Sequence, residues 1–225
     1  MRKTVIVEFN GLAGLGKTTV ANILIDKLNK MGFKTVNRQY SFLLYRILFH
    51  YFPKQMYSKL YHLVLEYADT LPKRETKRTH LLFTSAYTLK YKSIMRFSCA
   101  DFAIIDEALI QFLVAMAFKD RMPHNDKAEA IVQELKRMGI SFIRVDCVNH
   151  VHQAAERIMS RPPRGLVFES MSNDELIATL KTESYNFDYM RELFSKVYPN
   201  QQVIEIDTNE SPIENAEKIQ KFLLR

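Results

Sequence analysis

Eight consecutive residues, Gly11-Leu12-Ala13-Gly14-Leu15-Gly16-Lys17-Thr18, place three glycines, a lysine and a hydroxyl at the spacing G-x-x-x-x-G-K-[ST]. Each residue type has a use against a phosphate chain. The glycines let the backbone bend tightly and turn successive N–H groups toward an anion. A helix starting directly behind them adds the partial positive charge of its N-terminus. Lys17 has the reach for β- and γ-phosphates, and the Thr18 hydroxyl is a candidate ligand of Mg²⁺. The apolar run Val5-Ile6-Val7-Glu8-Phe9 before the segment and the helical pattern from Thr19 to Leu28 after it supply the strand–loop–helix context this P-loop pattern requires. Gly11 to Thr19 are therefore the candidate nucleotide-binding residues, with Lys17 also a candidate catalytic group.

A phosphate grip alone does not separate phosphoryl transfer from hydrolysis or switching. Two further segments bear on that choice. Phe102-Ala103-Ile104-Ile105-Asp106-Glu107 is an apolar strand ending in two acids. Asp106 at such a strand end is placed to approach the same Mg²⁺, although an Asp after a strand serves equally well as a helix N-cap. Glu107 has the chemistry to activate a water or an acceptor hydroxyl, or to stabilise the first turn of a following helix. Further on, Arg157 and Arg161 lie four apart on one helical face, Pro162-Pro163 stops the helix, and Arg164 follows on a loop ending at Gly165. Three guanidinium groups beside a loop suit a lid that neutralises a transferring phosphoryl group; the alternative is a solvated basic helix end.

These groups must be held by a larger frame. Short β-rich runs at Thr4–Phe9, Lys34–Tyr40, Asp101–Ile105, Ser141–Cys147 and Gln202–Ile206 alternate with longer helical stretches, the pattern of a parallel sheet with crossovers. Gly32 suits the end of the first helix, and Ser211-Pro212 the start of the last. About sixty residues separate the second and third runs, more than one crossover helix needs. The spacing predicts a helical lobe over residues 41–98, broken at Pro53 and Pro72 and rich in aromatic side chains (Tyr40, Phe42, Tyr45, Phe49, Tyr51, Phe52, Tyr57, Tyr61 and Tyr67). Those rings either pack the helices or line a pocket for a planar group.

Composition narrows the classes. The 225 residues and 47% hydrophobic content fit one domain with a sizeable core. No apolar run reaches the ~20 residues of a membrane span, and no secretory leader is evident at the N-terminus. Cys99 and Cys147 form neither a disulfide framework nor a metal-ligand spacing, so a cytoplasmic setting is expected. The net charge of +7 is spread along the chain without a nucleic-acid-binding signature. An anionic small-molecule substrate is expected rather than a nucleic acid or a membrane.

In the opening Val5–Gly11, the P-loop, Leu81–Ala86 leading into Ala103–Asp106, the lid entry Glu156-Arg157-Ile158 and the stretch Ile206–Glu214, the chain resembles the thymidylate-kinase-like branch of the P-loop nucleoside and nucleotide kinases. The resemblance implies a three-layer α/β fold with a five-stranded parallel sheet in order 2-3-1-4-5. It implies a single domain over residues 1–225, with 41–98 as substrate lobe and 154–172 as an arginine-rich lid. It also implies ATP with Mg²⁺, an adenine site at the loop after the fifth strand, and is compatible with a homodimer. Two positions depart from the family: Asp106-Glu107 stands where thymidylate kinases carry Asp-Arg, and Ala86-Tyr87 where they place a phosphate-binding arginine. Arg38, Arg74, Arg78 and Arg96 are the replacements on offer. The expectation is an ATP-dependent phosphotransferase acting on a small acceptor such as a nucleoside or nucleotide, with catalytic Lys17, Glu107, Arg157, Arg161 and Arg164 and with Thr18 and Asp106 at the metal. The alternative is a P-loop ATPase used as a regulatory or assembly switch. No guanine-reading Asn-Lys-x-Asp occurs, since Asn29-Lys30-Met31-Gly32 fails at its last position.

Overall fold

β-Branched and aromatic side chains dominate the strand runs, and the central strands are buried on both faces, as parallel strands covered by helices are, with Glu8, Asn10, Arg144 and Asp146 as buried polar side chains among the apolar ones. The computed structural model describes residues 4–36, 58–71, 88, 90–96, 98–106, 109–117, 120–162 and 167–225. Its strands are β1 (Val5–Asn10), β2 (Thr35–Val36), β3 (Phe102–Ile105), β4 (Ile143–Cys147) and β5 (Val203–Ile206). They form one sheet in the order β2-β3-β1-β4-β5, with every neighbouring pair parallel. The expected fold class and strand order are thus the observed ones. The second run was expected to reach Tyr40; residues 37–40 lie outside the described ones.

The described helices are α1 (Lys17–Lys30), α2 (Ser58–Ala68), α3 (Leu109–Ala115), α4 (Asp126–Arg137), α5 (Val151–Ser160), α6 (Asn173–Val197) and α7 (Pro212–Leu223). Residues 90–96 are also helical, and Val167–Ser170 form a 3-10 turn. Their ends follow local chemistry. Asn125 accepts hydrogen bonds from the amides of Lys127 and Ala128 at the start of α4. Ser172 with Glu175, and Ser211 with Glu214, close reciprocal capping boxes on α6 and α7. Each such cap stabilises its helix by about 1 kcal/mol. Pro212 opens α7 as the sequence indicated, and α1 ends at Met31 with Gly32 at φ +87°.

Helix α1 packs on α7, with Lys27 paired to Glu217 at 2.9 Å, while α6 packs on α3, α4 and α5. The long helix α6 is tied to the sheet by two arginines. From β4, Arg144 donates to Asp146 (2.9 Å), to the Arg191 carbonyl (3.0 Å) and to Ser195 Oγ (3.1 Å). From α6, Arg191 donates to the carbonyls of Cys147 (2.7 Å) and Asn10 (3.3 Å). Those two carbonyls close β4 and β1, so α6 is fixed directly beside the loop that leaves β1. Among the described residues no helix is long and apolar enough to cross a membrane.

Candidate active site

The loop after β1 owes its path to the glycines. A Cβ on Gly11 would sit 2.9 Å from the Cβ of Cys147, so the loop lies directly on the end of β4. Gly14 has φ +85°, and a Cβ there would stand 2.6 Å from the Ala154 carbonyl oxygen. That oxygen belongs to α5 and cannot swing aside as a side chain would. Gly14→Ala is therefore expected to destabilise the fold by about 2 kcal/mol or more, from the left-handed backbone alone plus the clash. The check is urea unfolding; a variant within 0.5 kcal/mol of wild type, a shift of about the size a neutral surface change gives, would refute the packing argument.

Lys17 curls back under the loop, donating from Nζ to the carbonyls of Gly11 and Leu12, both at 2.7 Å. The amide of Leu12 donates to Asn149 Oδ1 at 3.3 Å, which pins the loop to the segment between β4 and α5. Gly16, in the left-handed region, starts α1, so the helix points its first amides toward the loop. In the first turn of α1, Thr18 Oγ1 donates to Asp106 Oδ2 at 2.6 Å. A hydroxyl and a buried carboxylate side by side at the strand ends are hard oxygen donors of the kind Mg²⁺ takes. The pairing expected of Thr18 and Asp106 is present in the geometry. Glu107 lies outside the described residues.

Arg157, on α5, bridges the two loops that flank the site. Its Nη1 donates to the Leu15 carbonyl (3.2 Å) and its Nη2 to the Thr208 carbonyl (3.3 Å). Between these loops is a cleft of about 390 Å³, lined by Gly16, Thr19, Arg157, Thr208, Ser211 and Asn215 among others. Its outer rim is ordered by Asp207, which accepts from the Asn209 amide (2.8 Å) and pairs with His150 Nε2 (2.7 Å). Those contacts, the Asn209 amide first, hold the Asp207 carboxyl below its ordinary range. Arg161 caps α5 and is half-buried; its Nε and Nη2 have no hydrogen-bond partner among the described residues. Arg164 lies outside the described residues. Of the three arginines expected in a lid, Arg157 lies against the phosphate loop in the structure.

Two carboxyls that the motifs did not single out stand close to this machinery. Glu8, on the central strand, accepts from the Tyr91 hydroxyl and from the Ile110 amide (3.0 Å). Burial pushes its carboxyl up to about 7 despite those bonds. Glu183, on α6, is 4% exposed, and its Oε2 has no partner among the described residues. Burial raises it to about 7 as well, opposed by the charge of Lys17. The signal for Glu8 was an acid inside an otherwise apolar strand run. For Glu183 it was an acid within the buried stripe Leu176, Leu180, Phe187 and Met190.

The predicted substrate lobe is described only in part. Helix α2 and residues 90–96 are helical as expected. Tyr67 is fully buried and Tyr61 exposed, so one ring packs and one does not. The other aromatic candidates, Tyr40, Phe42, Tyr45, Phe49, Tyr51, Phe52 and Tyr57, lie outside the described residues. So do Arg38, Arg74, Arg78 and the Ala86-Tyr87 pair. Arg96 is exposed at the end of its helix.

No protein-family model and no curated protein sequence matches the chain. Solved structures do. A deoxyadenosine kinase from M. mycoides, determined with the products dCMP and dCDP, superposes with a TM-score of 0.57 at 16% identity, covering 98% of this chain and 99% of its own. The same kinase with dATP gives 0.55 at 15% identity, covering 98% and 100%. With dCTP it gives 0.55 at 13%, covering 98% and 99%. At these identities the likeness shows the fold alone, shared with these deoxyadenosine kinase structures over 98% of this chain.

Proposed function

We propose that this chain is an ATP-dependent phosphotransferase that moves a γ-phosphoryl group to a small acceptor of the nucleoside or nucleotide class. The observation that carries the reading is the convergence of three contacts at one mouth of the sheet. Lys17 lies folded under the loop, Thr18 is bonded to Asp106, and Arg157 spans the phosphate loop and the loop after β5. The shared fold with deoxyadenosine kinases supports it and makes deoxynucleosides the first acceptors to try.

In this reading the loop amides and Lys17 hold the phosphate chain in line for transfer. The ammonium exchanges the carbonyls of Gly11 and Leu12 for phosphate oxygens, at little cost because both partners are oxygens. Thr18 and Asp106 would hold Mg²⁺, which when bound neutralises charge on the phosphate oxygens. Arg157, fixed by two carbonyls, offers its cationic plane beside the cleft where the donor nucleoside rests. Residues 154–172, with Arg161 and Arg164, form the lid that excludes water as a competing acceptor. Residues 41–98 form the acceptor lobe, and Glu107 acts on the acceptor hydroxyl.

The test is to incubate the protein with ATP and a panel of nucleosides, nucleoside monophosphates and sugars, reading products by mass. The expected result is one acceptor class gaining a single phosphoryl group in step with ADP formation. Release of free phosphate that no acceptor stimulates, but a protein partner does, would instead make the chain a hydrolytic switch.

A further inference from the structure

The walls of the cleft beside Arg157 are joined twice. One join is Arg157 itself, which ties the Leu15 carbonyl to the Thr208 carbonyl. The other runs through the segment between β4 and α5. There Asn149 Oδ1 accepts from the Leu12 amide at 3.3 Å, and the next residue, His150, reaches the loop after β5. Its Nε2 stands 2.7 Å from Asp207 Oδ1 and 2.9 Å from Asn209 Nδ2. Asp207 and Asn209 flank Thr208, so the ring grips both neighbours of the residue that Arg157 holds.

One ring nitrogen cannot donate to a carboxylate and accept from an amide N–H at once. Carrying a proton, Nε2 donates to Asp207, and Asn209 must rotate its amide to offer oxygen. Bare, Nε2 accepts from Asn209 and turns a lone pair toward a carboxylate that repels it. The imidazolium, with protons on both nitrogens, allows only the first arrangement and adds its charge to it; the neutral ring divides between the two. The Asp207 carboxyl is held below its ordinary range by the Asn209 amide first and by His150 next, so it is ionised in both arrangements. Among the other charged groups around this clasp, Lys218 of α7 adds a positive charge near Asp207. Arg157 of α5 is bonded to its two carbonyls and Glu214 of α7 to the Ser211 cap. Glu205 of β5, His152 and Glu156 of α5, and Glu210 of the loop are exposed and bonded to neither His150 nor Asp207 among the described residues. Gly11 to Gly16 carry no charged side chain.

We propose that His150 is a positioning residue of the nucleotide-donor site: by exchanging Asp207 for Asn209 it sets how firmly the loop after β5 is held against the phosphate loop, so that a proton on its ring tightens nucleotide binding. A wall already held in place loses less freedom when a ligand closes against it. Histidine is the side chain whose charge changes between pH 5 and 8, so the effect falls in that interval. The His150 and Asp207 side chains are 30% and 41% exposed, which limits it to a few-fold. The inference rests on the reading of this mouth as a nucleotide-donor site and adds a proton dependence that the phosphate loop alone does not supply.

Calorimetric titration of the full chain with ATP and Mg²⁺ at pH 5.5 and pH 8, for wild type and Asp207→Asn, tests it. The variant keeps an acceptor oxygen for the Asn209 amide and removes the charge. It is expected to bind ATP about threefold to fivefold more weakly than wild type at pH 5.5, and within about 1.5-fold of it at pH 8. Protonation of ATP itself is common to both proteins and drops out of that ratio. His150→Gln should repeat the pattern with His152 still in place, and the double variant should be no weaker than either single one. Inorganic triphosphate, which asks only for the phosphate loop, should bind all four proteins alike. A wild-type to Asp207→Asn ratio that is the same at both pH values overturns the clasp and leaves the donor-site reading intact. A pH-dependent effect of Asp207→Asn that persists in the His150→Gln background overturns the assignment to His150. Loss of inorganic triphosphate in step with ATP moves the effect to the phosphate loop and overturns the role given to the loop after β5. Failure of wild type to bind ATP at either pH overturns both readings.

Discussion

Lys17→Ala is expected to lower phosphoryl transfer by about a hundredfold to a thousandfold while leaving the fold nearly intact. The two halves of that expectation come from different parts of the structure. Chemically, Lys17 is the one P-loop cation, and removing a single preorganised charge from a developing phosphoryl centre typically costs factors of 10² to 10³. Structurally, its contribution includes two hydrogen bonds to the carbonyls of Gly11 and Leu12, worth about 1 kcal/mol each. Melting should shift by a few degrees at most, and the screen that finds the acceptor should then find no product. A folded Lys17→Ala protein that turns over ATP at the wild-type rate would remove the phosphotransferase reading altogether.

Glu183→Gln is expected to stabilise the protein, and only above a certain pH. In the fold the Glu183 carboxyl is raised by burial from 4.5 to about 7. Below 4.5 native and unfolded chains both hold its proton, and its contribution to stability is fully present. As pH rises through 7 the native state must ionise a carboxyl shielded from water, and that contribution is lost. A shift of this size corresponds to roughly 3 kcal/mol as an upper bound. The amide variant carries no such cost, so at pH 8 it should unfold at higher urea than wild type, while at pH 4.5 the two should coincide. Glu8 is raised to about 7 too, so the variant keeps part of the wild-type slope. A stability difference between variant and wild type that does not change with pH would show that Glu183 is not held as a shielded acid. Combined with Lys17→Ala, the gain at pH 8 should grow, because Lys17 is the charge that opposes the shift.

The sheet was legible from the sequence because its strands are short runs rich in β-branched residues, with β3 (Phe102–Ile105) buried and apolar throughout and only Glu8, Arg144, Asp146 and Glu205 as charged residues in the other strands. The P-loop was legible because a tight backbone path demands glycine, and Gly11 and Gly14 are enclosed as that argument requires. The Thr18–Asp106 pairing followed from two motifs that a parallel register brings to one edge. What the sequence hid were contacts between side chains and distant carbonyls. Arg157 was marked by its spacing from Arg161, but nothing in that spacing names Leu15 and Thr208 as its acceptors. Asn215 sits in a helix whose cap was plain to read, yet the fixed orientation of its amide depends on the Asp207 carbonyl eight residues earlier. Glu183 hid for a related reason: an acid on a long amphipathic helix reads as solvated until the packing on both sides is known.

The two thiols differ as sharply as two thiols can. Cys147 closes β4 beneath Gly11, fully buried, with its thiol pushed up to about 11, whereas Cys99 lies exposed just before β3. Since only thiolates react readily, a maleimide added at neutral pH attaches at Cys99 first. The natural chain thus accepts a single dye beside the helical lobe without any substitution. The slower modification of Cys147 then becomes a clock, recording how often the phosphate loop lifts off the strand below it.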